Sequence, residues 1–195
     1  MRQIADEFGR PFEYFSGPYD EPEGFLALLD KYQPDFVALS GWIKPVMGIE
    51  PKKMFNIHPG LLNPGGPKHF GGKGMYGHHV HEAVMAAFHR GEVTHSAVTM
   101  HFVTENYDEG PKFFEYPVWI RPNDTAETLA ARVNKIEHSW QSFITNLVVS
   151  RQISLVEGRV VVPDWYKKEV FCPAELKAAL SWWSSMKRMF FSHQN

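Results

Sequence analysis

The chain has 195 residues, with 20 Lys+Arg against 22 Asp+Glu and a formal charge of −2 at pH 7. With 44% apolar and 22% charged residues it reads as one globular domain with its own core. The near-neutral balance excludes a protein whose main task is neutralising nucleic-acid phosphates. The longest apolar runs, such as 83–88, fall far short of the roughly 20 residues of a membrane-spanning helix, so no membrane partner is expected. A single Cys172 cannot form an internal disulfide, and Asp6, Glu7 and Arg10 interrupt any secretory apolar stretch, so a cytoplasmic location is expected.

Pro and Gly punctuate short periodic segments along the chain. Phe12-Glu13-Tyr14-Phe15, closed by Ser16-Gly17-Pro18, reads as a strand and turn. Phe25, Leu28, Leu29 and Tyr32 follow at helical spacing, and Pro34 stops that helix. Phe36-Val37-Ala38-Leu39 reads as a parallel strand covered on both faces. A helix leading into a buried strand is an α/β signature.

Met54-Phe55-Asn56-Ile57-His58 is another buried strand, ending in polar side chains before Pro59-Gly60, the end of an α/β sheet where ligands bind. The Gly-rich stretch from Asn63 to Gly77 must be a loop. It leads into a helix from about Gly77 to Arg90, with Val80, Val84, Met85 and Phe88 on one side. Strands are expected over 96–103 and 113–120. A long helix starts at Asp124, capped by its carboxylate with Glu127, and carries the stripe Leu129, Val133, Ile136, Trp140, Phe143 and Leu147. Residues 152–156 and 159–162 form a hairpin about Glu157-Gly158. The core spans about 12–162. After Pro173 a last helix carries Leu176, Leu180, Trp183, Met186 and Phe190 in a helical tail of about 163–195; its Trp182-Trp183 and Phe190-Phe191 cluster is a core element or a homodimer surface.

Three polar residues stand at strand ends and turns. Asn56 and His58, two apart on an extended strand, share a face and can aim an amide N–H and an imidazolium at one carbonyl oxygen. Asp108, in the turn before Gly110-Pro111, can hold that imidazole charged or accept a proton. Residue types alone also allow a plainer reading, with His58 as a hydrogen-bonded core residue and Asp108 as a turn former.

Asn56-Ile57-His58-Pro59-Gly60-Leu61-Leu62, the run 98–111 from Val98 through His101-Phe102-Val103 to Asp108-Glu109-Gly110-Pro111, and 127–138 through Glu137-His138 resemble the formyltetrahydrofolate-dependent formyltransferase family typified by phosphoribosylglycinamide formyltransferase. The resemblance covers about 34–162, with the motifs in the family's order. It implies an open, mostly parallel Rossmann-like sheet flanked by helices. It also implies transfer of a formyl group from the cosubstrate 10-formyltetrahydrofolate to a small-molecule primary amine, with no metal. Glycinamide ribonucleotide in purine biosynthesis is the candidate amine. Asn56, His58 and Asp108 match the family's catalytic trio. Trp42, Ile43, Lys44 and Val46 match the segment lining the folate pocket, and the turn Val103, Thr104, Glu105, Asn106 and Tyr107 would offer backbone partners to the pteridine. Glu137, Pro59 and Gly60 match positions that meet the amine substrate.

The chain departs from the family pattern twice. Nothing in 1–24 resembles the family's first strand and phosphate loop, so both are expected to be missing, which puts the candidate amine in question. The Gly-rich loop 63–77 is longer than the family's connection; Lys68 and Lys73 make an anion-binding nest one reading, a lid or plain surface loop the other. His69, His78, His79, His81, His89 and His95 lack the Cys or carboxylate partners of a zinc spacing; His101 reads as a buried hydrogen-bond partner, and His138 as a residue packed beside Glu137. Two other functions compete with formyl transfer: formyltetrahydrofolate hydrolysis with water as acceptor, and a catalytically silent folate-binding or interaction protein.

Overall fold

The computed structural model describes residues 2–169, so the expected helix after Pro173, its tryptophan cluster and Cys172 lie outside the described residues. Two compact units emerge, a smaller one of 1–34 with 44–49 and a larger one of 35–43 with the rest. The smaller unit holds helices α1 (Arg2–Glu7) and α2 (Glu23–Tyr32). The strand expected over Phe12–Phe15 does not form. Phe12 stacks edge-on with Tyr14, and Phe15 packs on Phe25 and Tyr19. An aromatic run becomes a strand only beside another strand that completes its backbone ladder, and neither sheet of the described residues includes this run. In α2, Phe25 is buried, and Gln33 closes the helix in a left-handed conformation just before Pro34.

The larger unit is built on an open Rossmann-like α/β sheet of order β1-β2-β3-β4, from β1 (Val37–Leu39), β2 (Met54–His58), β3 (His95–Phe102) and β4 (Lys112–Trp119). Among the described residues its parallel part is β1 with β2, with Val37 opposite Met54 and Leu39 opposite Asn56. The other pairings, β2 with β3 and β3 with β4, are antiparallel. The mostly parallel expectation is corrected to that extent. The physical reason at β3–β4 is connection length, since a tight turn returns the chain antiparallel whereas a parallel neighbour needs a long crossover. β1 is an edge strand among the described residues, and Ala38 is exposed rather than covered on both faces.

Helix α3 (His78–His89) and the long helix α4 (Ala126–Val149) pack on each other and on β3, and α4 also packs on β4. Val80 and Val84 of α3, Val98 and Phe102 of β3, Phe114 of β4, and Leu129, Val133, Ile144 and Val148 of α4 form a core closed to solvent. The α4 stripe turns slightly from the expected one: Ile144 is buried and Phe143 is largely exposed, as a 3.6-residue period running on from Val133 and Trp140 requires. The helix also starts one residue later than expected. Thr125 is the cap and exchanges hydrogen bonds with Thr128, while Asp124 grips Arg132, whose guanidinium also donates 2.8 Å to the Trp119 carbonyl. A carboxylate that can reach a guanidinium two turns on gains more from that pair than from capping. The hairpin of β5 (Ser154–Val156) and β6 (Arg159–Val161) turns at Glu157-Gly158, both at positive φ. A short helix α5 (Asp164–Glu169) follows, and its buried Tyr166 hydroxyl donates to the Phe113 carbonyl at 2.6 Å.

Candidate active site

β2 sends Phe55 and Ile57 into the core, and the alternation of an extended strand turns Asn56 and His58 the other way. Asn56 stands opposite His101 on β3, and His58 opposite Thr99. The register of β3 on β4 slips between Met100 and His101. Such a bulge re-aims the side chains around it. Beyond it the turn brings Asp108 back towards β2. Asp108 adopts a left-handed φ of +56, which Asp tolerates better than most residues. Gly110 completes the turn where a Cβ would collide with the Phe102 carbonyl.

The three side chains singled out from the sequence therefore meet. Asn56 Nδ2 donates to Asp108 Oδ1 at 3.5 Å, and His58 Nδ1 lies 3.7 Å from Asp108 Oδ2. His101 joins them: its Nε2 is 3.4 Å from Asp108 Oδ1 and 3.5 Å from Asn56 Nδ2, while its Nδ1 donates to the Phe102 carbonyl at 2.9 Å. The hydrogen-bonding role read for His101 holds; its membership of this cluster was hidden because pairing register is not written locally. His58 is only 4% exposed, and Asn56 Oδ1 is buried with no hydrogen-bond partner among the described residues.

The formyl transferase family matches residues 13–145, most of the chain. The chain belongs to the formyl transferase family. A phosphoribosylglycinamide formyltransferase, chloroplastic, from Vigna unguiculata is 40% identical over 177 residues, covering 86% of this chain and 51% of that protein. The protein of the same name from Arabidopsis thaliana is 38% identical over 143 residues, covering 71% of this chain and 46% of its own length. A crystal structure of glycinamide ribonucleotide transformylase 1 from Symbiobacterium toebii superimposes with a TM-score of 0.64 at 29% identity, over 83% of this chain and 74% of that one. This formyl transferase chain spans about half the length of the curated relatives it matches.

The electrostatics of this cluster differ from the expectation at one point. Burial pushes the His58 imidazole down, and this outweighs the Asp108 charge and the Phe70 carbonyl, which push it up. His58 is therefore held neutral rather than charged. Burial pushes the Asp108 carboxyl up, but the His101 hydrogen bond, the electrostatic pull of the His58 imidazole as it takes up a proton in acid, and the Gly72 N–H together win and hold it at about 2.

The remaining expected site residues fall in different places. Pro59 and Gly60 follow His58 directly, and the Gly60 carbonyl accepts from the Thr99 hydroxyl at 2.7 Å. Val103 opens the turn to Asp108 with its N–H already given to Met54, Thr104 donates to the Asn106 carbonyl, and Glu105, Asn106 and Tyr107 are exposed. Trp42 and Ile43 lie in the irregular segment after β1, in the larger unit, whereas Lys44 and Val46 belong to the smaller one. Glu137 is half-buried on α4, where burial pushes its carboxyl up. One turn on, Gln141 donates to Ser40 at 3.0 Å, which sets that helix face beside the end of β1. Among the described residues no group of three His, Cys, Asp or Glu could hold a metal; His78 and His79 pair with Glu82, and His78 also with Glu127.

Proposed function

We propose that this chain transfers a formyl group from 10-formyltetrahydrofolate to a primary amine, with glycinamide ribonucleotide as the first amine to test because the relatives carry it in their names. The observation that carries this reading is the convergence of Asn56, His58 and Asp108, from the end of β2 and the β3–β4 turn, in one partly buried cluster. In the proposed reaction the amine lone pair forms a bond to the formyl carbon and the carbonyl electrons move onto oxygen. Asn56 stabilises that oxyanion with its amide N–H, and its orphaned Oδ1 suits an N–H of the attacking amine. His58, neutral at the start, takes the proton released by the amine at Nδ1. Asp108 stabilises the resulting imidazolium, and the same proton passes to the folate nitrogen as its bond to carbon breaks. Asp108 itself is too acidic to be the base.

Trp42, Ile43 and the turn 103–107 are proposed to meet the folate, and Glu137, Pro59 and Gly60 the amine. Incubating the chain with 10-formyltetrahydrofolate, with and without glycinamide ribonucleotide, tests the reading. Amine-dependent release of tetrahydrofolate supports it. Release without amine makes the chain a hydrolase, and binding without turnover makes it a silent folate-binding protein.

A further inference from the structure

The His58–Asp108 pair is gripped by main chain from the Gly-rich loop. His58 Nε2 lies 2.7 Å from the Phe70 carbonyl oxygen, and the Gly72 N–H donates to Asp108 Oδ2 at 2.9 Å. A carbonyl can only accept, so Nε2 carries the imidazole proton and Nδ1 is the nitrogen turned towards Asp108. Gly71 sits between these two contacts with no space for a side chain. A Cβ there would come within 2.5 Å of Leu62 Cδ2, 2.7 Å of Asp108 Cβ and 3.1 Å of Asp108 Oδ2. The segment is also anchored at both ends. Phe70 is buried and its N–H returns to the Leu61 carbonyl, while the Gly72 carbonyl accepts from Met75 and Gly72 itself stands at φ +100.

We propose that Phe70-Gly71-Gly72 is a backbone clamp that fixes the His58 tautomer and the seat of the Asp108 carboxylate, with Gly71 as the positioning residue on which it depends. The inference rests on the formyl-transfer reading of the same cluster. A side chain at 71 displaces either Asp108 or the loop. Either movement parts the Phe70 carbonyl from His58 or the Gly72 N–H from Asp108, and the imidazole is then free to carry its proton on either nitrogen. His58 is faced by Asp108 from the β3–β4 turn, His101 from β3, His81 from α3 and His69 from the loop itself, so its titration registers the loss of Asp108 against three other imidazoles.

Nitrogen-15 NMR of labelled histidine in the wild-type chain reads the tautomer directly, with His58→Gln to assign the signal. A neutral His58 protonated at Nε2 is expected; a proton on Nδ1 overturns the clamp. Gly71→Ala, shown to be folded by its unfolding transition, is expected to give a mixture of tautomers. Its kcat should fall about 10- to 100-fold while KM stays within about threefold, and the acid limb of its pH–rate profile should move to lower pH. A folded Gly71→Ala with the Nε2 proton and wild-type kcat contradicts the proposal. If Gly71→Ala does not fold, the wild-type tautomer alone decides. A wild type inert with 10-formyltetrahydrofolate and every amine tested removes the formyl-transfer reading, and the tautomer measurements then judge the clamp separately.

Discussion

In the proposed reaction Asp108, held at about 2, is a poor proton acceptor at neutral pH, so it supplies charge and orientation and the proton traffic falls to His58. Asp108→Asn keeps the shape of the side chain and removes the charge that pushes His58 up. The acid limb of kcat/KM, which reports His58 becoming protonated, should therefore move to lower pH in this variant, and kcat should fall on the order of 10²-fold or more. An unmoved limb would show that the two groups do not interact. Removing the amide at Asn56 is expected to cost on the order of 10²–10³ in kcat, as loss of an oxyanion donor does elsewhere. Circular dichroism of Asn56→Ala should match wild type, because Asn56 Nδ2 makes only long contacts.

The start of α4 depends on two neighbouring side chains with separate tasks. Thr125→Ala removes the cap and should cost about 1 kcal/mol in chemical denaturation. Asp124→Ala loses the bond to Arg132, whose guanidinium keeps the Trp119 carbonyl, and should cost at least as much. A larger loss in Thr125→Ala than in Asp124→Ala would reverse this assignment. Helices α2, α3 and α4 are legible in the sequence because their apolar positions recur every three or four residues and their breakers are local. Phe12–Phe15 misleads because aromatic composition says nothing about whether a partner strand is at hand. The trio is legible only through its resemblance to a family, since its convergence depends on a bulge at His101 and a left-handed Asp108. The part played by the loop is not legible at all. Phe70 and Gly72 act through a carbonyl and an N–H that every residue except proline possesses.

At the scale of the molecule His58, His81, Asp108 and Asp124 set a shared dependence on acid. Burial, chiefly, holds His81 at about 4 and pushes His58 down. The unfolded chain, with histidines near 6.5, binds more protons than the folded one, so stability falls as pH drops from about 6.5 towards 4. Asp108 and Asp124, each held at about 2, add stability that is present above about 4 and is lost as pH falls towards 2. The urea midpoint should therefore decline continuously below pH 6.5. A midpoint unchanged between pH 7 and pH 4 would mean that these histidines titrate alike in both states.

The mixed sheet, with its parallel pair β1–β2 and antiparallel β2–β3–β4, is what brings the end of β2 and the β3–β4 turn to one place. Whether that place moves a formyl group is read most directly with 10-formyltetrahydrofolate carrying carbon-13 in its formyl carbon, following the label by mass spectrometry. Label should appear on the nitrogen of glycinamide ribonucleotide with the wild-type chain and fall on the order of 10²–10³ in rate with Asn56→Ala. Label transfer undiminished in both Asn56→Ala and Asp108→Ala would contradict the assignment of this cluster as the reacting centre.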